Sequence, residues 1–136
     1  MERLVSKHTG GMSFDTVIDN HNITLDADAA FGGQGKGPRP KPLVLQALTG
    51  CTGMDVVSLL NKMRVEYSDF SVTVEAELSD EHPKYYHKIH LIYDIKAQPE
   101  FHAKVEKAID LSQERYCGVS YMLKQSSELT HEIKYN

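Results

Sequence analysis

Two periodicities divide the chain. Val72, Val74, Ala76 and Leu78 alternate with Thr73, Glu75 and Glu77, and a second alternation follows Ser79-Asp80-Glu81-His82-Pro83. There Tyr85, His87, Ile89, Leu91, Tyr93 and Ile95 take one face, and Tyr86, Lys88, His90, Ile92, Asp94 and Lys96 the other. A period of two predicts two long antiparallel strands. Beyond Pro99 the period lengthens: Phe101, Val105, Ala108, Ile109 and Ser112 recur at helical spacing and predict an amphipathic helix from Glu100 to about Arg115. A short helix over Tyr116 to Leu123 and a last alternating strand from Leu129 to Tyr135, closing the sheet, complete this part. Before it, Arg3–Lys7, Met12–Ile18 and Asn22–Asp26, separated by Gly10-Gly11 and Asp19-Asn20, predict a meander of short strands. The class is α+β, with residues 1–136 forming a single domain.

From Leu43 to Met63 nearly every residue is apolar or small, with no charge before Asp55, which predicts a helix buried on most of its surface. Its length approaches a membrane span, but Gln46, Thr49, Thr52, Asp55 and Ser58 suit a soluble core helix better. Such a helix needs cover on more sides than one small sheet provides, so a homodimer is expected. Gly50 and Gly53 mark a break inside this stretch. Read as a helix start, Thr52 is the N-cap and Asp55 completes a capping box, so Cys51 stands just before the first turn, where the positive helix end favours a thiolate.

Phe31 to Pro42 is rich in Gly and Pro and is expected to be a mobile loop rather than an element. A phosphate loop is not supported, because Ala30 stands where the first glycine of that motif belongs and Gly37 where Ser or Thr must follow Lys36. With 15 Lys and Arg against 19 Asp and Glu, the net charge of −4 argues against a nucleic-acid partner. The mixed segment opening at Met1-Glu2-Arg3 has no apolar leader, and the expected location is cytoplasmic. Seven histidines do not compose a metal site: His87 and His90 fall on opposite strand faces and no HExxH pattern occurs, so neither metal nor cofactor is expected.

Two cysteines remain, without the paired spacing of a zinc site and in a compartment unsuited to a permanent disulfide. They are either inert core residues or a redox pair. In the second case a Cys51 thiolate attacks a peroxide O–O bond and the resulting sulfenic acid condenses with Cys117, which has Arg115 nearby. A dithiol reductant then restores both thiols.

Lys41-Pro-Leu-Val-Leu-Gln-Ala-Leu-Thr-Gly-Cys51-Thr-Gly-Met-Asp55-Val-Val57, with Leu111-Ser-Gln-Glu-Arg-Tyr-Cys117-Gly-Val-Ser120, resembles the OsmC/Ohr family of osmotically induced and organic-hydroperoxide-resistance proteins, over essentially the whole chain. The resemblance implies the OsmC-like fold: antiparallel sheets around a long buried central helix, in an intertwined homodimer with active sites at the subunit interface. It also implies thiol-dependent reduction of hydroperoxides in oxidative stress defence, with Cys51 peroxidatic and Cys117 resolving. Peroxidases of the family place a Glu shortly before the first cysteine and an Arg in the N-terminal strands. The corresponding stretches here read Arg39-Pro-Lys-Pro42 and Gly10-Gly-Met-Ser-Phe14, which leaves Arg39 as a substitute cation. The alternative function is a non-enzymatic thiol protein that binds an apolar ligand or senses oxidants at the dimer cleft.

Overall fold

The computed structural model describes residues 1–136 and divides into two compact units, Met1–Gln46 and Ala47–Asn136. In the first, β1 (Ser6–His8), β2 (Phe14–Ile18) and β3 (His21–Leu25) form the expected antiparallel meander in the order β1-β2-β3. Asp19 and Asn20 both take positive φ between β2 and β3, as a two-residue hairpin turn requires.

The Gly/Pro-rich stretch after β3 is not the mobile loop its composition suggests. The Asp26 side chain, 3% exposed, organises it: one carboxylate oxygen accepts from the Ala27 N–H at 2.8 Å, the other from those of Gln34 at 3.0 Å and Lys36 at 3.1 Å. The Asp26 N–H in turn donates to the Pro38 carbonyl at 3.0 Å. Gly33 and Gly37 are required by close approach, because a Cβ at either would collide with the backbone carbonyls of Ala27 and Thr24 respectively. The breakers let one backbone lie directly on another while a carboxylate takes the freed donors.

The long helix α1 runs Pro40–Lys62, starting in the first unit and continuing through the second. Pro40 and Pro42 fall in its first turn, where a missing N–H costs nothing. It ends where Arg64 takes positive φ and the Val65 N–H returns to the Leu60 carbonyl at 3.0 Å, a Schellman closure. Leu48, Thr52, Val56 and Leu60, one residue per turn, are its only buried positions. The expectation of burial on most of the circumference is therefore not met within one chain: a three-stranded sheet covers a single stripe.

In the second unit β4 (Ser68–Leu78) and β5 (Tyr86–Lys96) pair antiparallel over most of their length. The alternation of β5 sorts as the sequence requires, with Ile89, Leu91, Tyr93 and Ile95 buried. The predicted helix after Pro99 is three pieces: a 3₁₀ turn at Pro99–Phe101, α2 (His102–Leu111) and a π turn at Ser112–Tyr116, followed by α3 (Gly118–Lys124). Strand β6 (Glu128–Tyr135) then joins β5 in parallel, in the order β4-β5-β6. The sheet is thus mixed rather than antiparallel throughout. A short connection returns a chain antiparallel, whereas a helical crossover brings it back parallel. The core comprises the α1 stripe, the inner face of β5, and Val105, Ala108 and Ile109 of α2.

Three backbone N–H groups hold the Asp26 carboxyl below the usual carboxylate range, with the Lys36 charge adding a smaller push the same way. A depressed pKa contributes stability that is present above the unfolded value of about 3.9 and is lost as pH falls through the folded value. Asp26→Asn is therefore expected to lower the thermal midpoint at neutral pH, with the difference from the parent narrowing below about pH 4. Thermal unfolding followed by circular dichroism between pH 2 and 7 checks this; a pH-independent difference would contradict it.

Candidate functional site

Cys51 is an interior residue of α1, not a residue before a helix start. The positive helix end invoked for it lies near Pro40, about 16 Å away along the axis. Thr52 and Asp55 do not form a capping box. Local composition favoured that reading because Gly-Cys-Thr-Gly-Met-Asp carries the residues of a helix N-terminus, yet the helix continues through both glycines.

Thr52 faces inward instead, fully buried, and its hydroxyl is the hub of a polar cluster. Its Oγ1 lies 2.6 Å from Tyr93 Oη on β5 and 2.8 Å from Ser112 Oγ on the π turn. Ser112 Oγ donates to Asp55 Oδ2 at 3.1 Å, and Gln113 Nε2 donates to Tyr93 Oη at 2.8 Å and Thr52 Oγ1 at 3.2 Å. These contacts have one consistent direction. A carboxylate only accepts, so the single Ser112 hydrogen goes to Asp55; Ser112 must then accept from Thr52, and Thr52 from Tyr93. Gln113 supplies the head of a chain that ends on the Asp55 carboxylate. Burial pushes the Tyr93 phenol up from its ordinary value, against the pull of Thr52 and Gln113, so it keeps the proton the chain needs.

Asp55 follows Cys51 by four residues and shares its helix face. Cys117 comes to the same place from the far end of the π turn, where its N–H donates to the Ser112 carbonyl at 2.8 Å. The extra residue of the π turn buries Ser112 and Gln113 side by side and sets the approach of Cys117. The two sulfurs and an Asp55 carboxylate oxygen all lie within 4.8 Å of one another. Cys51 is half-buried and Cys117 is 4% exposed. Burial pushes the Cys117 thiol up from its ordinary value; the Ser120 hydroxyl and amide pull it down, the amide donating to Sγ at 3.3 Å, and Cys51 adds to the upward push.

The fold therefore brings Cys51 and Cys117 together and adds Asp55, Ser112, Gln113 and Tyr93. Polar residues at positions of otherwise apolar periodicity, Ser112 and Gln113 beyond Ile109, were the signal available for them. Arg39 lies just before α1, exposed and in the other compact unit. The Arg115 guanidinium stands 5.6 Å from the centre of the Tyr116 ring. Among the histidines, His87 stands 3.7 Å from Glu77 and His90 3.5 Å from Glu132, each a half-exposed partner of an acid.

A thiol pair formed between a long helix and the turn that follows a helical crossover, with a mixed sheet beside it, defines a class of small α+β proteins with a cysteine site. A sequence model of the family described as OsmC-like protein matches residues 33–132, and the chain belongs to that family. Protein YhfA of Escherichia coli K12 is 35% identical over 114 residues, covering 84% of this chain and 82% of that one. A hypothetical protein from Aquifex aeolicus VF5 has a similar structure, at 27% identity, with a TM-score of 0.82 over 100% of this chain and 98% of the other. The fold is shared at 19% identity with an organic hydroperoxide resistance protein OsmC from Legionella pneumophila, with a TM-score of 0.69 and 98% of each chain covered.

Removing the hub hydroxyl with Thr52→Val leaves the buried Tyr93 hydroxyl proton without an acceptor and takes from Ser112 the donor it accepts from, while Ser112 keeps its bond to Asp55 and Tyr93 its bond from Gln113. The expected cost is about 1–3 kcal/mol, whereas Thr52→Ser, which keeps the chain and loses a methyl, costs about 1 kcal/mol. Urea denaturation of both variants separates a hydrogen-bonded hub from simple packing.

Proposed function

We propose that this OsmC-like protein reduces hydroperoxides through its thiol pair, with Cys51 peroxidatic and Cys117 resolving. The observation that supports this is the pairing of a partly exposed sulfur with a buried one within 4.8 Å. A peroxide meets Cys51 first. The Cys51 thiolate attacks the distal oxygen, the O–O bond breaks, and the alkoxide leaves as an alcohol after taking a proton; the sulfur becomes a sulfenic acid. The Cys117 thiolate then attacks that sulfur, the S–O bond breaks, hydroxide leaves as water after taking a proton, and the disulfide forms at about 2.05 Å after closure of less than 3 Å. An external dithiol reduces it by exchange, becoming a disulfide itself. The name of the Legionella relative, hydroperoxide resistance, agrees with this reading. Such a cycle suits a reducing, cytoplasmic compartment.

The chain works in this reading as one OsmC-like domain and as a homodimer. The outer side of α1 offers a groove of about 570 Å³ lined by Gly50, Gly53, Met54, Val57 and Phe70, with Met54 74% exposed. A second copy is the proposed cover. The same groove is what favours the second reading, a non-enzymatic protein that binds an apolar ligand there or senses oxidants.

One equivalent of an alkyl hydroperoxide is expected to convert both thiols to an intramolecular disulfide, read by mass spectrometry. Cys117→Ser should retain the first oxidation and lose turnover with a dithiol, while Cys51→Ser loses both. Because the Cys117 thiol is pushed up, disulfide closure should accelerate as pH rises through and beyond the ordinary thiol range. Peroxide consumption by Cys51→Ser equal to the parent's would favour the second reading. Light scattering of the dilute protein is expected to give twice the chain mass; a stable folded monomer would remove the dimer from the proposal.

A further inference from the structure

We infer that the reduced protein binds one zinc ion, or a similarly thiophilic divalent cation, through Cys51 Sγ, Cys117 Sγ and a carboxylate oxygen of Asp55. Three atoms no more than 4.8 Å apart lie within about 2.8 Å of a common centre. Zinc takes sulfur at about 2.3 Å and carboxylate oxygen at about 2.0–2.2 Å, so a contraction of well under 1 Å at each atom completes three corners of a tetrahedron. Two soft thiolates with one carboxylate select zinc over calcium or magnesium, which take oxygen donors throughout.

What surrounds the three donors is that of a ligand set rather than a chance meeting of side chains. Asp55 is oriented by the Ser112 hydroxyl at 3.1 Å, itself held by Thr52, and the Cys117 sulfur is fixed by the Ser120 amide at 3.3 Å. Such outer contacts aim metal ligands and fix their geometry. The Ser120 hydroxyl, fully buried beside the Cys117 sulfur, adds a second outer contact to that donor. Cys51 and Asp55 are only half-buried, so the fourth corner opens toward solvent, as in sites where zinc keeps a water or exchanges a ligand.

Zinc binding consumes no electrons: both thiols coordinate as thiolates and release their protons. It needs the reduced pair and not its oxidation, so it goes beyond the peroxide chemistry and fails separately from it. Bound metal occupies the lone pairs a peroxide would meet, and a Cys51–Cys117 disulfide removes two of the three ligands.

The test is anaerobic titration of the fully reduced, full-length protein with Co(II), followed by displacement with Zn(II). The expected result is one ion per chain, with sulfur-to-cobalt charge-transfer absorption and the intense visible bands of a tetrahedral site. Cys51→Ser and Cys117→Ser should each lose about half of the charge-transfer intensity, while Asp55→Asn should keep it and bind at least about tenfold more weakly. In the unmodified protein, where folding is not in question, stoichiometric Zn(II) should slow alkylation of Cys51 at least about tenfold. Absence of charge-transfer absorption in the reduced parent, or alkylation unaffected by zinc, overturns the site. Unchanged affinity in Asp55→Asn overturns the assignment of the carboxylate.

Discussion

A single hydroxyl group sets the arrangement of the larger unit. Thr52 Oγ1 touches Tyr93 of the central strand and Ser112 and Gln113 of the π turn, so one buried oxygen joins the long helix, the sheet and the crossover. A buried polar group is costly unless its partners are in place, and here each partner would be left short without the others. The cluster therefore acts as a register lock: sliding α1 by one residue would carry Thr52 off the inner stripe and replace it with Cys51 or Gly53. Cys51 and Asp55 then owe their positions to Thr52, one residue before it and three after, and Cys117 owes its position to the turn that Thr52 fastens.

Element identities were largely legible in the sequence, because burial on one face writes itself as period two or period 3.6. The meander, the β4–β5 hairpin and α2 all follow from that. The course of α1 through Cys51 was less accessible. Gly50, Thr52, Gly53 and Asp55 spell a helix start locally, whereas the helix is set by Pro40 and Pro42 at one end and by tertiary contacts along its inner stripe, and each interior glycine costs only about 1 kcal/mol. The parallel arrival of β6 could be expected only by counting the helical crossover. The π turn left one trace, two adjacent polar residues where an apolar stripe should continue.

Composition alone also misjudged the Gly/Pro-rich stretch, for a different reason. Loops rich in breakers are mobile when nothing receives their backbone donors, and a buried carboxylate receives them here. Asp26 reads as an ordinary strand-end residue, and only the conformation of residues some ten positions later gives it a role. The same limit applies to the site: the cysteines were legible as residue types, but Asp55 belongs with them through a helix register and Ser112 through a contact 57 residues away in sequence.

With the helix terminus removed from Cys51, the inequality of the two sulfurs has to come from their surroundings. Cys117 is nearly inaccessible, and desolvation together with the neighbouring sulfur keeps its proton in place against the pull of Ser120. A large peroxide cannot reach it without opening the turn that Ser112 and Gln113 secure. Cys51 meets solvent from an exposed flank of α1, next to a groove whose floor is Gly50 and Gly53. On the proposed reading, the order of the two thiols in the reaction is therefore decided by access first and ionisation second. The polar chain that runs from Gln113 through Tyr93, Thr52 and Ser112 ends on Asp55 and so holds that side chain beside both sulfurs, within 4.8 Å.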